Sequence, residues 1–329
     1  MTAPSSEFDS RDATMIKLVV WRLLQLPIIL LVVYTSTFAL AWLIPGNPLE
    51  KDGRRPPPEV MEAMAENYNL HDPVGFYTGY LWKASGGAWL AGERNGPVFN
   101  FGPSLRHENW TVNEILASQL PVSILLGLTA MIIAIIFGIT AGVLGAVRPH
   151  SWIDLLTIAI SLVGISVPAF VVGVVLLMFF SVWLGWFPVG GWGTWKHIAL
   201  PATALSLPFA AYIAQFTRSG MIEQLASDHI RTARAKGLPE RVVVMKHALK
   251  NAFLPVLSYL GPATAAAMTG SFVVEKVFAV PGIGTHFVDA VLGKDITVLM
   301  GIVLVYATML ILFNLLVDAT YRLVDPRVS

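Results

Sequence analysis

The stretch SDHIRTARAKGLPERVVVMKHALKN, Ser227–Asn251, is a polar insert between two apolar stretches, and its reading decides the fold. Ser227 or Asp228 can cap a helix, and residues 229–236 lack Gly and Pro. Gly237 fits the left-handed position that ends a helix. Pro239 suits the first position of a second helix, with Glu240 placed favourably at the positive end of its dipole. The pattern predicts a short helix that projects from a membrane, turns sharply and returns, a shape suited to transmitting force to a partner.

Composition fixes the setting. Hydrophobic residues make up 55% of the 329 and charged ones only 13%, where an ordinary soluble domain carries about a quarter charged. Mean hydropathy of +0.65 agrees. The chain therefore reads as an all-α polytopic membrane protein. A net charge of +1 says little by itself, so the placement of charges matters more. The chain has no cysteine, which excludes disulfides, thiol nucleophiles and Cys-ligated metals.

Six segments are long and apolar enough to span a bilayer: residues 18–44, 120–147, 153–186, 198–222, 252–274 and 298–321. The first is too long for a signal-peptide core and is read as a retained helix. Pro168, Pro208, Pro255 and Pro262 are expected to bend their spans. With the N-terminus cytoplasmic, 13 of the 22 Lys and Arg fall inside: Arg11, Lys17 and Arg22, then Arg148, then seven from Arg218 to Lys250, then Arg322 and Arg327. Of the other nine, six sit in the long segment after the first span, where the charge rule is weak. Both termini and the Ser227 insert are thus expected in the cytoplasm. The domains expected are a tail over 1–17, a first span over 18–44, an extracytoplasmic insert over 45–119, a transmembrane domain over 120–322 with its loop at 223–251, and a tail over 323–329.

The insert reads as structured. Val60, Met61, Met64 and Tyr68 after Pro58, and Phe76, Tyr77, Tyr80 and Leu81 after Pro73, give two apolar stripes at helical spacing. Thr111 and Glu114 form a capping box that leads toward the second span. The insert is either a cap on the helix bundle or a docking platform for an external partner. After the fifth span, Pro281-Gly282 marks a turn, Thr285 can cap a short helix and Gly293 can end it; this helix lines the outer mouth or merely covers helix ends.

Charges avoid the middles of the spans: Arg22, Asp154, Arg218, Glu275, Asp318 and Arg322 all lie near span ends. Asp318 and Arg322, four apart, suit a structural pair. No midplane relay is present of the kind that ion-coupled transporters use, which counts against a stand-alone secondary transporter or channel. A membrane-embedded enzyme is disfavoured as well. His107-Glu108 starts a zinc-protease pattern, but Thr111 stands where the second His belongs, and the sequence around Ser166 fails the nucleophile elbow. No phosphate-binding GxxxxGK[ST] loop occurs, so any ATP must be hydrolysed by another chain.

HIRTARAKGL (229–238) followed by HALKNAFLP (247–255) resembles the EAA loop of binding-protein-dependent ABC importer permeases. WLIPGNP (42–48), NFGPS (100–104), LPVSILLG (120–127), GISVPAF (164–170), GSFVVEKVF (270–278), PGIG (281–284) and NLLVDATYRLVDPR (314–327) are together similar to the first permease subunit of the oligopeptide/dipeptide branch. Nearly the whole chain takes part.

That resemblance implies a type I ABC importer permease fold. It also implies a heterodimer with a second permease, two ABC ATPase subunits that carry ATP and Mg, an extracytoplasmic peptide-binding protein, and residence in a bacterial cytoplasmic (inner) membrane. The seven His are scattered among loops without a ligand cluster, so no metal, no catalytic residue and no nucleic-acid partner is expected. The family's coupling helix maps onto Asp228, His229, Ile230, Arg231, Thr232, Ala233, Arg234, Ala235, Lys236 and Gly237. Arg231 stands where the motif often has Glu, and His229 where it usually has Tyr. Glu275, Pro281, Gly282 and Gly284 are the residues expected at the outer mouth or gate.

Overall fold

A computed structural model of the chain describes residues 5–49, 57–94, 96–107, 109–269 and 272–324. All regular structure among them is helical. Among the described residues four helices are long and apolar enough to cross a membrane, or up to six if each of two bent pairs counts as one span. The side chains of Arg11, Lys17, Asp318 and Arg322, and residues 325–329 of the expected C-terminal tail, lie outside the described set, so the expected Asp318–Arg322 pair does too.

In chain order, α1 covers Ser5–Leu43, α2 Pro58–Asn67, α3 Pro73–Ala84 and α4 Gly87–Leu90. Helix α5 (Val112–Val147), α6 (Trp152–Ser166) and α7 (Ala169–Leu176) follow, with α7 continuing as π-helical turns over Leu177–Trp183. Next come α8 (Trp195–Leu225), α9 (Asp228–Ala235) and α10 (Glu240–Val242), the last running through π-helical turns at Val243–Ala248 into α11 (Leu249–Ala252). The chain closes with α12 (Leu254–Met268), α13 (Phe272–Val277), α14 (Ile283–Leu292) and α15 (Ile296–Val324). Helix α1 begins well before residue 18, the start expected from hydropathy.

Residues 1–122 and 282–311 form one compact unit and residues 123–281 and 312–329 a second. In the first, the two amphipathic helices of the insert appear where the apolar stripes place them. Phe76 and Tyr80 of α3 pack with Tyr34 of α1 and with Ile296, Met300 and Ile302 of α15. Tyr34 donates to the Tyr77 carbonyl at 2.6 Å, and Tyr80 to that of Thr297 at 3.1 Å. Asp295 caps α15: it is 1% exposed and accepts from Ser104 Oγ, the Arg106 amide and Thr297 Oγ1. The capping box is present, with the Thr111 amide 2.8 Å from Glu114 Oε2 and the Glu114 amide 3.2 Å from Thr111 Oγ1. Gly282, rather than Thr285, is the N-cap of α14, and the Thr285 hydroxyl donates to its carbonyl from inside the helix.

In the second unit α8 is the central helix and packs against α6, α7, α11 and α12. Close approach to α5 depends on glycine. A Cβ on Gly138 would lie 2.8 Å from the Ala210 carbonyl oxygen, and one on Gly142 2.6 Å from that of Ala214. Small residues at such spacing let helix backbones meet closely where lipid offers no hydrophobic drive between helices. Leu128, Ile132 and Phe137 of α5 and Leu155 and Ile160 of α6 are exposed, as side chains bathed in hydrocarbon can be without cost.

The prolines act unequally. Pro168 follows a residue in extended conformation, as the residue before proline prefers, and the helices on its two sides meet at 104°. The segment expected as one span over 153–186 is therefore broken in two. Pro208 lies within the continuous α8, and Pro262 within α12. Pro255 sits in the first turn of α12, next to a bend of 56°.

Candidate functional site

The ten residues 228–237 come together as one feature. Asp228–Ala235 is helical, and Ile230 (0% exposed) and Ala233 (6%) turn inward. They join Ala146 of α5, Met221 of α8 and Val243, Val244, Ala248 and Ala252 in one apolar cluster. Asp228, His229, Arg231, Thr232, Arg234, Ala235, Lys236 and Gly237 are exposed. The spacing of three between Ile230 and Ala233 puts both on one helical face. One face of α9 is thus anchored and the other is free.

Both ends of α9 are defined by named groups. Ser227 is the N-cap residue, but its hydroxyl donates to the Gln224 carbonyl and meets His229 Nδ1 at 2.9 Å instead of receiving a helix amide. At the other end the Gly237 amide donates to the Arg234 carbonyl at 2.9 Å and the Leu238 amide to that of Ala233 at 3.4 Å. This is the Schellman pattern, and Gly237 holds the required positive φ of 75°. Pro239 is the cap of the next helix, one place before the position expected, and Glu240 opens it.

The two arginines differ. Arg231 makes a single 3.3 Å contact with Asp228, and both side chains are largely exposed. Arg234 grips Glu240 through both Nε (3.1 Å) and Nη2 (2.6 Å), which bolts α9 to α10 across the turn. That carboxylate holds the Arg234 guanidinium above its ordinary pKa. The helix after Glu240 is not the uninterrupted α-helix expected from sequence, because Val243–Ala248 is π-helical. Such wide turns are often found where a helix serves a function.

The four residues expected at an outer mouth lie along one stretch of chain. Glu275 of α13 is 0% exposed and accepts a 2.8 Å hydrogen bond from Ser123 Oγ of α5. Ala279 takes a positive φ of 47° just after α13, and Pro281 is exposed. Gly282 and Gly284, in the first unit, are buried. In the sequence Asp154 and Arg218 stand out only as charges near span ends. The structure pairs them: Asp154 accepts from Arg218 Nε and, at 2.8 Å, from Nη2, while also receiving the His150 amide at 2.8 Å. Two opposite charges in neighbouring spans were the available signal, but their pairing depended on which helices pack together.

No group of three or more His, Cys, Asp or Glu suited to a metal occurs among the described residues. Up to six candidate spans among the described residues, with a polar helix–turn–helix elbow between the fourth and the fifth, make up the architecture of a type I ABC importer permease. The chain belongs to the family described as "binding-protein-dependent transport system inner membrane component", which matches residues 134–329. It is similar to the oligopeptide transport system permease protein OppB of Haemophilus influenzae (39% identical, covering 95% of this chain and 99% of the relative) and to OppB of Escherichia coli (40%, with the same coverage). It is also 40% identical to the dipeptide transport system permease protein DppB of Bacillus subtilis, over 91% of this chain and 94% of the relative. The fold matches a solved inward-facing structure of the MetNI methionine ABC transporter with a TM-score of 0.53, at 19% identity, over 64% of this chain and 96% of that one.

Proposed function

We propose that this chain is one of two permease subunits in an ATP-driven importer, forming with a second, similar permease the path for peptides delivered by an external binding protein. Peptides are favoured as cargo because the relatives named above are oligopeptide and dipeptide permeases, similar over almost their whole length. The observation that carries the mechanism is α9: a helix with Ile230 and Ala233 seated in the body and Arg231, Thr232 and Lys236 turned out. An exposed polar face on a rigidly anchored helix is what an ATPase subunit can hold and move.

In this reading both termini and α9 face the cytoplasm of a bacterial inner membrane, which the 13 inside cations support. ATP and Mg belong to two partner ATPases. Their closure draws α9 inward, and the shared apolar cluster passes the motion to the ends of α5, α8 and α11, shifting the path between inward-open and outward-open states. Glu275, Pro281, Gly282 and Gly284 are assigned to the outer mouth, and residues 45–119 to the face that meets the binding protein.

Purification of the tagged chain from its native membrane tests this. Two ATPase subunits and a second permease should accompany it, and Arg231→Glu should lower ATP-driven peptide uptake at least tenfold while the chain still inserts. A chain that arrives alone, or uptake unchanged in Arg231→Glu, overturns the reading.

A further inference from the structure

Asp154 is the one acid of α6, with a side chain 2% exposed, and Arg218 of α8 reaches it with a side chain 21% exposed. Both carboxylate oxygens are used: Oδ1 accepts from Arg218 Nε, and Oδ2 from Arg218 Nη2 and the His150 amide. The pair therefore ties three things together, namely α8, the first turn of α6 and the α5–α6 turn, where His150 holds a positive φ of 64°. Helix α5 passes alongside without a side chain in the way. A Cβ on Gly142 would lie 3.0 Å from the Arg218 amide nitrogen, and one on Gly145 3.4 Å from Asp154 Oδ1.

Two features of its position connect this pair to α9. Arg218 lies about two turns before the end of α8, and Met221, one turn on, shares the apolar cluster that seats Ile230 and Ala233. On the other side, α6 runs from Asp154 to the 104° break at Val167–Pro168. A displacement of α9 thus reaches the broken span through the α8–α6 contact that the ion pair fixes.

Stability alone does not account for a pair so placed. Removing two charges from water costs about as much as their attraction returns, and a well-packed apolar pair often serves a fold equally well. A bidentate Arg–carboxylate contact adds something an apolar pair lacks, a fixed relative rotation and register of the two helices.

We propose that Asp154 and Arg218 are positioning residues for energy coupling: their bidentate contact makes α8 and the α5–α6 turn one body, so that motion of α9 is delivered to the broken span α6–α7. The inference rests on the coupling role of α9 given under Proposed function.

The test uses the complete importer in proteoliposomes, reading peptide taken up and ATP hydrolysed in the same vesicles. The double variant Asp154→Leu/Arg218→Met should assemble and unfold at or above the wild-type temperature, yet transport at least tenfold less peptide per ATP. The exchange Asp154→Arg/Arg218→Asp should recover part of that ratio, and Thr217→Val, which leaves the pair intact, should keep all of it. Wild-type stoichiometry in the apolar pair overturns the proposal. Failure of that pair to assemble overturns it as well, because the contact is then a requirement of folding. If wild-type vesicles show no ATP-driven uptake, the importer reading itself fails, and the control reports it separately.

Discussion

Arg234 and Glu240 hold each other through two hydrogen bonds of 3.1 and 2.6 Å across the Gly237 turn, so the two helices of the elbow move as a unit. Both side chains are about half exposed, and surface pairs of this kind are worth only about 0.2–1 kcal/mol. Glu240→Gln should therefore leave thermal unfolding of the detergent-solubilised chain nearly unchanged. Its effect should appear in coupling, as more ATP hydrolysed per peptide transported.

Gly237 takes a φ of +75°, and a Cβ there would have no neighbour within 4 Å. A substitution there meets no neighbour and suffers only the left-handed backbone, about 1–2 kcal/mol for a residue with a side chain. Gly237→Val should lower the unfolding temperature, and Gly237→Asn less, since Asn tolerates this region better. Equal losses in the two would show that something other than backbone conformation decides the position.

Gly142 is the opposite case. Its Cβ would stand 2.6 Å from both the Ala214 carbonyl oxygen and Thr217 Cβ, contacts with backbone and a β-branched side chain that cannot swing away. Gly142→Ala should cost about 1–3 kcal/mol by forcing α5 from α8. Gly185→Ala is the comparison: no atom lies near its Cβ, so any loss comes from its φ of +63° alone.

Glu275 is wholly buried and receives the Ser123 hydroxyl. Glu275→Ala removes the acceptor of that hydrogen bond, worth about 0.5–1.5 kcal/mol, and adds a cavity. Glu275→Gln keeps an acceptor oxygen, so thermal unfolding should rank wild type, then Gln, then Ala. An Ala variant as stable as wild type would exclude the Ser123 contact as a source of stability.

His286 packs edge-on against His107 at 5.4 Å, and its Nδ1 is buried with no hydrogen-bond partner among the described residues. Burial first, and then the His107 ring, hold its pKa below the ordinary histidine value, against a smaller upward pull from Asp289 and Asp295. A depressed histidine pKa means that the unfolded chain takes up the proton first. Stability is therefore fully present above about pH 6.5, the unfolded value, and is lost as pH falls through the window beneath it. The unfolding temperature should drop more steeply from pH 7.5 to pH 5.5 in wild type than in His286→Phe; parallel curves would remove His286 as the source.

Local chemistry was legible because it is written within a few residues. Gly237, Pro239, the Thr111–Glu114 box and the apolar stripes after Pro58 and Pro73 each specify a backbone conformation or a helical face by neighbours at most four apart. Expectations failed where a competing local acceptor or a remote contact intervened. The Ser227 hydroxyl turned to the Gln224 carbonyl, and the ladder after Glu240 widened at Val243–Ala248 where Val243, Val244 and Ala248 pack under α9.

By itself, the sequence determined the membrane setting, the six apolar segments and the helix–glycine–helix elbow, since hydrocarbon thickness, helix periodicity and the freedom of glycine act on contiguous residues. Only the tertiary structure decided that Pro168 breaks its span while Pro208 does not, that Arg234 is held by Glu240, and that Asp154 meets Arg218, 64 positions away. Those outcomes depend on which helices approach closely enough to exclude side chains between them. That approach is settled by packing at Gly138, Gly142 and Gly145, whose role is invisible until α5, α6 and α8 stand side by side.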